Sequence, residues 1–125
     1  MRTKTPRKIL LVDDETVVLN VTRRMLESLG YEVTATSSGT SALDIFKGDP
    51  GQFDLVITDL TMPQITGDQL AQEIMGVRQD MPIIIHTGYS HAVSEKKVKE
   101  LGVRGFIMKP VTMKELSEAV SRVFE

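Results

Sequence analysis

The chain has 125 residues, 15 basic and 17 acidic side chains for a formal net charge of -2, and no cysteine. That length suits one domain with a core of its own, and without cysteine neither a disulfide nor a thiolate metal site is available to staple it. Interspersed charge offers no field for holding nucleic acid or an anionic membrane surface, and with no signal peptide and no apolar run of about twenty residues the expected location is the cytoplasm.

Residues 1–7 read as a tail and 8–125 as one folded unit. Lys8 to Val12 is apolar without alternation, the pattern of a strand covered on both faces, and it ends in Asp13-Asp14. From Glu15, the residues Val18, Val21, Met25, Leu26 and Leu29 share one helical face, and Gly30 ends that helix. Tyr31 to Thr36 alternates and reads as a half-covered edge strand. Thr40 to Lys47 predicts a weaker helix with Ala42, Leu43 and Phe46 inward, broken by Gly48-Asp49-Pro50-Gly51. Phe53 to Thr58 predicts the third strand, which delivers Asp59 into a Pro/Gly loop ending at Gly67.

Gly67 to Arg78 carries Leu70, Ala71, Ile74 and Val77 at helical spacing, and Ile83-Ile84-Ile85 then forms a fully apolar strand that delivers His86-Thr87-Gly88. A helix at about His91 to Leu101 has only a thin stripe, Val93, Val98 and Leu101, beside Glu95, Lys96, Lys97, Lys99 and Glu100. Val103 to Met108 is the fifth strand and delivers Lys109-Pro110. Thr112 and Glu115 form a capping box, after which Met113, Leu116, Val120 and Val123 give the last helix its apolar face.

Strands alternating with helices imply an α/β fold with right-handed crossovers, a five-stranded parallel sheet and helices on both faces. A half-exposed second strand beside doubly buried first, third and fourth strands favours the flavodoxin-like order 2-1-3-4-5. That order makes Asp13, Asp14 and Asp59 neighbours at the carboxyl rim, where ligands bind in such sheets. Three carboxylates facing one Lys109 repel one another unless a cation or altered proton affinities relieve them. Oxygen ligands suit a hard ion, Mg2+ or Mn2+, which in turn recruits phosphate. Thr87 and Lys109 supply a hydroxyl and an ammonium for the remaining phosphoryl oxygens, and Asp59 is placed to take the group as an acyl phosphate.

The pair Asp13-Asp14, Asp59 within Ile57-Thr58-Asp59-Leu60-Thr61-Met62-Pro63, Gly67, Thr87-Gly88, and Lys109-Pro110 preceded by Phe106 together resemble the receiver domain of the response-regulator family in two-component phosphorelays. The likeness covers residues 7–125, and no signature position departs from it. It implies Asp59 as phosphoacceptor, with Asp14, Asp59 and the backbone carbonyl of Thr61 as metal ligands and Asp13 acting partly through water. Thr87 and Lys109 become phosphoryl contacts, and Phe106 an aromatic that turns inward on activation. A cis peptide between Lys109 and Pro110 is also implied. The implied partners are a histidine kinase or histidine phosphotransfer domain and a downstream protein or fused domain, reached through the fourth helix, fifth strand and fifth helix. Such a domain assists its own phosphorylation and dephosphorylation without being an enzyme in the ordinary sense. The runs Met81 to Ser90 and Phe106 to Val111 are similar to receivers attached to hybrid histidine kinases.

Other readings of the same residues compete. An aspartyl phosphohydrolase would carry a second acid two residues after the nucleophile, where this chain has Thr61, and an unphosphorylated docking module would have lost an acid, the threonine or the lysine. His86 and His91 lack the further nitrogen or sulfur ligands of a transition-metal site. Phe106 also suits plain core, the methionines gap-filling core, and Lys96, Lys97, Lys99 and Arg104 a solvated face. Neither Thr61 nor Tyr89 is a strong base, and Tyr89 is placed to shield an acyl phosphate from water, so a long-lived phosphorylated state is expected.

Overall fold

A computed structural model describes residues 6–88, 96 and 99–124. Its strands β1 (Lys8–Val12), β2 (Glu32–Thr36), β3 (Leu55–Thr58), β4 (Ile83–Thr87) and β5 (Gly105–Met108) form one parallel sheet in the order β2-β1-β3-β4-β5. The helices are α1 (Thr16–Ser28), α2 (Gly39–Gly48), α3 (Gly67–Val77) and a C-terminal helix (Met113–Val123). Most of the helix expected at His91 to Leu101 lies outside the described residues, as do the first five residues of the expected tail. Among the described residues no helix is long and apolar enough to cross a membrane.

Alternation sorts the strand residues into two cores. Leu10, Val12, Val56, Ile83 and Ile85 face α2 and α3, meeting Ala42, Phe46, Leu70, Ala71 and Ile74. Ile9, Leu11, Leu55, Ile57 and Ile84 face α1 and the C-terminal helix, meeting Leu19, Leu26, Leu116 and Val120. Because β1, β3 and β4 are covered on both faces, their runs need no polar alternation, whereas β2 at the edge is only half covered.

Several elements depart from the expected boundaries for identifiable reasons. Ser38 caps α2, its hydroxyl accepting from the Ser41 N–H at 3.2 Å, so that helix starts before Thr40. Thr66 and Gln69 form a capping box for α3, Gln69 Oε1 accepting from the Thr66 N–H at 3.0 Å. The third strand starts at Leu55, because the Asp54 side chain turns to accept from the Lys8 N–H at 2.8 Å. The fifth starts at Gly105, although Val103 is buried and the Arg104 N–H still reaches Ile83 O at 2.9 Å.

The buried face of α1 is Leu19, Thr22 and Leu26, whereas Val21 is 53% exposed and Val18 and Met25 only partly covered. Apolar residues span a wider arc of this helix than the sheet covers, so periodicity alone misplaces its centre. Val77 and Met113, both expected inward, are exposed at the ends of their helices. Gly30, with φ +97°, ends α1 in the left-handed region as its position requires.

Candidate functional site

Strand register assembles the rim. Val12 pairs with Thr58, and the Asp59 N–H donates to Val12 O at 2.9 Å, so the residues following β1 and β3 emerge side by side. Thr87 pairs with Met108, and the Lys109 N–H donates to Thr87 O at 2.8 Å, which brings the β5 end to the same edge. The structure therefore brings Asp13, Asp14, Asp59, Thr61, Thr87 and Lys109 together. Asp14, Asp59, Thr61, Thr87 and Lys109 line a cavity of about 250 Å3 with Glu15 and Gly88.

Each acid has a distinct setting. Asp13 is buried, and its Oδ1 accepts from the Glu15 N–H at 2.9 Å. Asp59 is buried, and its Oδ1 accepts from the Leu60 N–H at 2.8 Å. Asp14 is exposed at the mouth. One oxygen from each of the three lies within 4.8 Å of the others. Lys109 Nζ stands 2.8 Å from Asp13 Oδ2, 3.4 Å from Asp59 Oδ2 and 3.1 Å from Glu15 Oε1. The Lys109 ammonium at 2.8 Å is the ionic partner that balances this buried Oδ2, which takes no backbone N–H.

Burial raises the Asp59 carboxyl from 3.8 to about 6, with the Asp13 charge adding to the rise while Lys109 and the Leu60 N–H oppose it. Burial works to lower the Lys109 ammonium, but its bonds to Asp13 and Glu15 and the charges of Asp13 and Asp59 outweigh that and hold it above the ordinary lysine value. A rim that crowds three carboxylate oxygens within 4.8 Å of one another, one of them on a carboxyl that resists ionisation, fits a hard divalent cation. Asp13, Asp14 and Asp59 would hold it, with the Thr61 segment beside them.

Gly67 sets the loop after Asp59. Its N–H donates to Leu60 O at 2.7 Å, and a Cβ there would run into the Asp59 carbonyl oxygen and Leu60 Cα. Only glycine lets α3 begin so close to the strand end. Phe106 is half-buried on the α2 and α3 side of the sheet. Its partner in register is Ile85, two residues before Thr87, so Thr87 and Phe106 share one sheet face. The Lys109–Pro110 peptide is cis. Tyr89 and His91 lie outside the described residues.

Two residues were not singled out as part of the site. Glu15 is the third acid in succession, a signal hidden by its position at a helix start. His86 is buried beside the site, and its Nε2 has no hydrogen-bond partner. Burial, aided by the Lys109 charge, lowers it from 6.5 to about 4, and no other histidine joins it among the described residues. His86 also borders an apolar groove of about 450 Å3 between α1 and the Lys109–Val111 segment, lined by Val17, Val18, Val21, Met25, Pro110 and Val111. Glu15, Gly88 and Lys109 border both groove and acidic cavity, so the two are continuous.

The family model of the response regulator receiver domain matches residues 9–121. Among curated proteins, the two-component response regulator ORR26 of Oryza sativa subsp. japonica is 33% identical over 94% of this chain and 20% of its own length. The sensor kinase CckA of Brucella abortus is 32% identical over 94% of this chain and 12% of its own length. The chain thus spans about a fifth or less of these relatives. Among solved structures, a response regulator receiver domain protein from Clostridium thermocellum superposes with a TM-score of 0.89 at 35% identity, covering 94% of this chain and 93% of that one. The CheX–CheY–BeF3–Mg complex from Borrelia burgdorferi matches with a TM-score of 0.92 at 25% identity, covering 96% and 90%.

Proposed function

The chain belongs to the response regulator receiver domain family of two-component signalling, and on that premise we propose that it is a phosphoryl-accepting switch whose acceptor is Asp59. Residues 8–125 form the receiver in this reading and 1–7 its tail. The observation that carries it is Asp59 itself, buried at a strand end, raised to about 6, and faced by one ammonium among further acids. A buried carboxylate that becomes an acyl phosphate exchanges its one charge for the larger charge of the phosphoryl oxygens, which an ammonium and a cation at this rim are placed to balance, and that suits a group meant to change state.

In the transfer, an Asp59 carboxylate oxygen attacks phosphorus as the bond from phosphorus to the donor's imidazole nitrogen breaks, leaving the electron pair on that nitrogen. Lys109 takes one phosphoryl oxygen by its ammonium, and the Thr87 hydroxyl donates to another. A divalent ion at Asp13, Asp14, Asp59 and the Thr61 carbonyl would supply charge neutralisation for the phosphoryl oxygens. Water later cleaves the acyl phosphate. Thr61 brings no carboxylate to activate that water, which argues for a slow return to rest and against a phosphohydrolase.

The donor is a histidine kinase or phosphotransfer domain. Its phosphohistidine must reach the cavity, and the continuous apolar groove beside α1, with Val17 75% exposed, gives its carrier a surface to cover. Output runs through Thr87, which moves toward the phosphoryl group and opens space on the sheet face it shares with Phe106. The receiving partner, a downstream protein or a fused domain, reads the fifth strand and the helices flanking it. Peptide mass spectrometry after incubation with acetyl phosphate tests the acceptor: phosphate is expected on Asp59 only with Mg2+ present. Equal labelling of Asp59→Asn, or labelling indifferent to chelator, refutes it.

A further inference from the structure

The ammonium on which these phosphoryl contacts depend is already engaged in the resting chain. Lys109 donates to Glu15 Oε1 at 3.1 Å and lies 2.8 Å from Asp13 Oδ2 and 3.4 Å from Asp59 Oδ2. The three carboxylates differ in freedom. Asp13 and Asp59 have side chains only 3% and 6% exposed, and each is pinned by a backbone N–H on its other oxygen. The Glu15 side chain is 63% exposed, and although Glu15 is the N-cap of α1 its side chain makes no capping bond. Water can replace what Glu15 loses, but not what the buried acids would lose.

We propose that Glu15 is a positioning residue for phosphoryl acceptance: it holds the Lys109 ammonium between cavity and groove in the unloaded chain, and loading Asp59 exchanges the Glu15 carboxylate for a phosphoryl oxygen on that ammonium. The inference rests on the reading of Asp59 as acceptor. Asp59 gives up its own carboxylate when it takes the phosphoryl group, so the phosphoryl oxygens compete for the ammonium with the two acids that still hold it, Asp13 at 2.8 Å and Glu15 at 3.1 Å. Glu15 is the one that yields, and the hold it exerts at rest lowers the rate of loading. Its charge would also repel an anionic donor, so the hold must be separated from the field.

Two variants do this. Glu15→Gln removes the charge, whereas Glu15→Asp keeps the charge but retracts it by a methylene from the 3.1 Å contact. In metal-free protein, NMR follows hydrogen exchange of the Lys109 ammonium; with Mg2+ and acetyl phosphate, mass spectrometry follows labelling at low and high ionic strength. Both variants are expected to exchange the ammonium hydrogens faster and to label about two- to fivefold faster at either ionic strength, the scale of an exposed ion pair. If Glu15→Asp matches the native chain in either readout while Glu15→Gln is faster, charge alone is at work and the proposal is overturned. Labelling of either variant at or below the native rate overturns it as well. If the native chain takes no phosphate at Asp59, the acceptor reading fails instead, while ammonium exchange still reports the hold.

Discussion

Replacing Asp59 with Asn is expected to stabilise the resting domain at neutral pH, although it removes the proposed acceptor. Burial raises this carboxyl from 3.8 to about 6, so the folded chain holds the proton more tightly than the unfolded chain does. The stabilisation tied to that proton is complete below pH about 4 and is lost as pH rises through 6. At about 1.4 kcal/mol per pH unit, the rise corresponds to a ceiling of about 3 kcal/mol at pH 7 and above. The cavity beside Asp59 admits water, so roughly 1.5 to 3 kcal/mol is expected. Asparagine keeps an oxygen for the Leu60 N–H, now 2.8 Å from Oδ1, and sheds the repulsion from Asp13. For a domain of this size the gain corresponds to roughly 5 to 10 °C in Tm. Thermal unfolding without divalent ions, from pH 4 to 8, reads the difference between variant and native chain. It should be near zero at pH 4 and reach its plateau above pH 7. Added Mg2+ should stabilise the native chain more than the variant and narrow the gap. A variant less stable than the native chain at pH 7, or a gain independent of pH, would show that burying the Asp59 charge does not cost the resting fold stability.

Three further outcomes follow from the same geometry. Gly67→Ala forces a Cβ against the Asp59 carbonyl and Leu60, and should cost about 1 to 3 kcal/mol in urea unfolding and slow acetyl phosphate labelling, since the loop that seats Asp59 must shift. His86, lowered to about 4, contributes stability above its unfolded value of 6.5 that is lost as pH falls towards 4. His86→Leu should therefore unfold with a flatter acid limb, differing from the native chain by up to about 3 kcal/mol near pH 4. Val21→Glu places a charge in the groove beside α1, and should cut transfer from a histidine kinase about tenfold while leaving labelling by acetyl phosphate unchanged.

Much of the architecture was legible because the strands advertise themselves. β1, β3 and β4 are built on the apolar runs Ile9 to Val12, Leu55 to Ile57 and Ile83 to Ile85, each followed within two residues by a polar group of the rim, so Asp13, Asp59 and Thr87 could be placed at strand ends before their neighbours were known. The order of strands followed from which run alternates. Helix faces were harder to read. In α1 the sequence Val17-Val18-Leu19 offers three adjacent apolar residues, and only packing against the sheet selects Leu19 for burial. The Ser38 and Thr66 caps depend on side-chain hydrogen bonds that the surrounding polar residues disguise. Glu15 was passed over because a carboxylate at a helix start has an ordinary explanation, and its reach to Lys109 spans 94 positions of sequence.

In the proposed switch, a phosphoryl load on Asp59 is felt at Thr87 and passed to the fifth strand. Amide chemical shifts before and after adding beryllofluoride with Mg2+, which together mimic the acyl phosphate, measure this directly. Changes are expected around Asp59 and Lys109 and, beyond the site, from Thr87 through Gly105 and Phe106. Shifts confined to residues 59–67, with Thr87 and Phe106 unmoved, would contradict it.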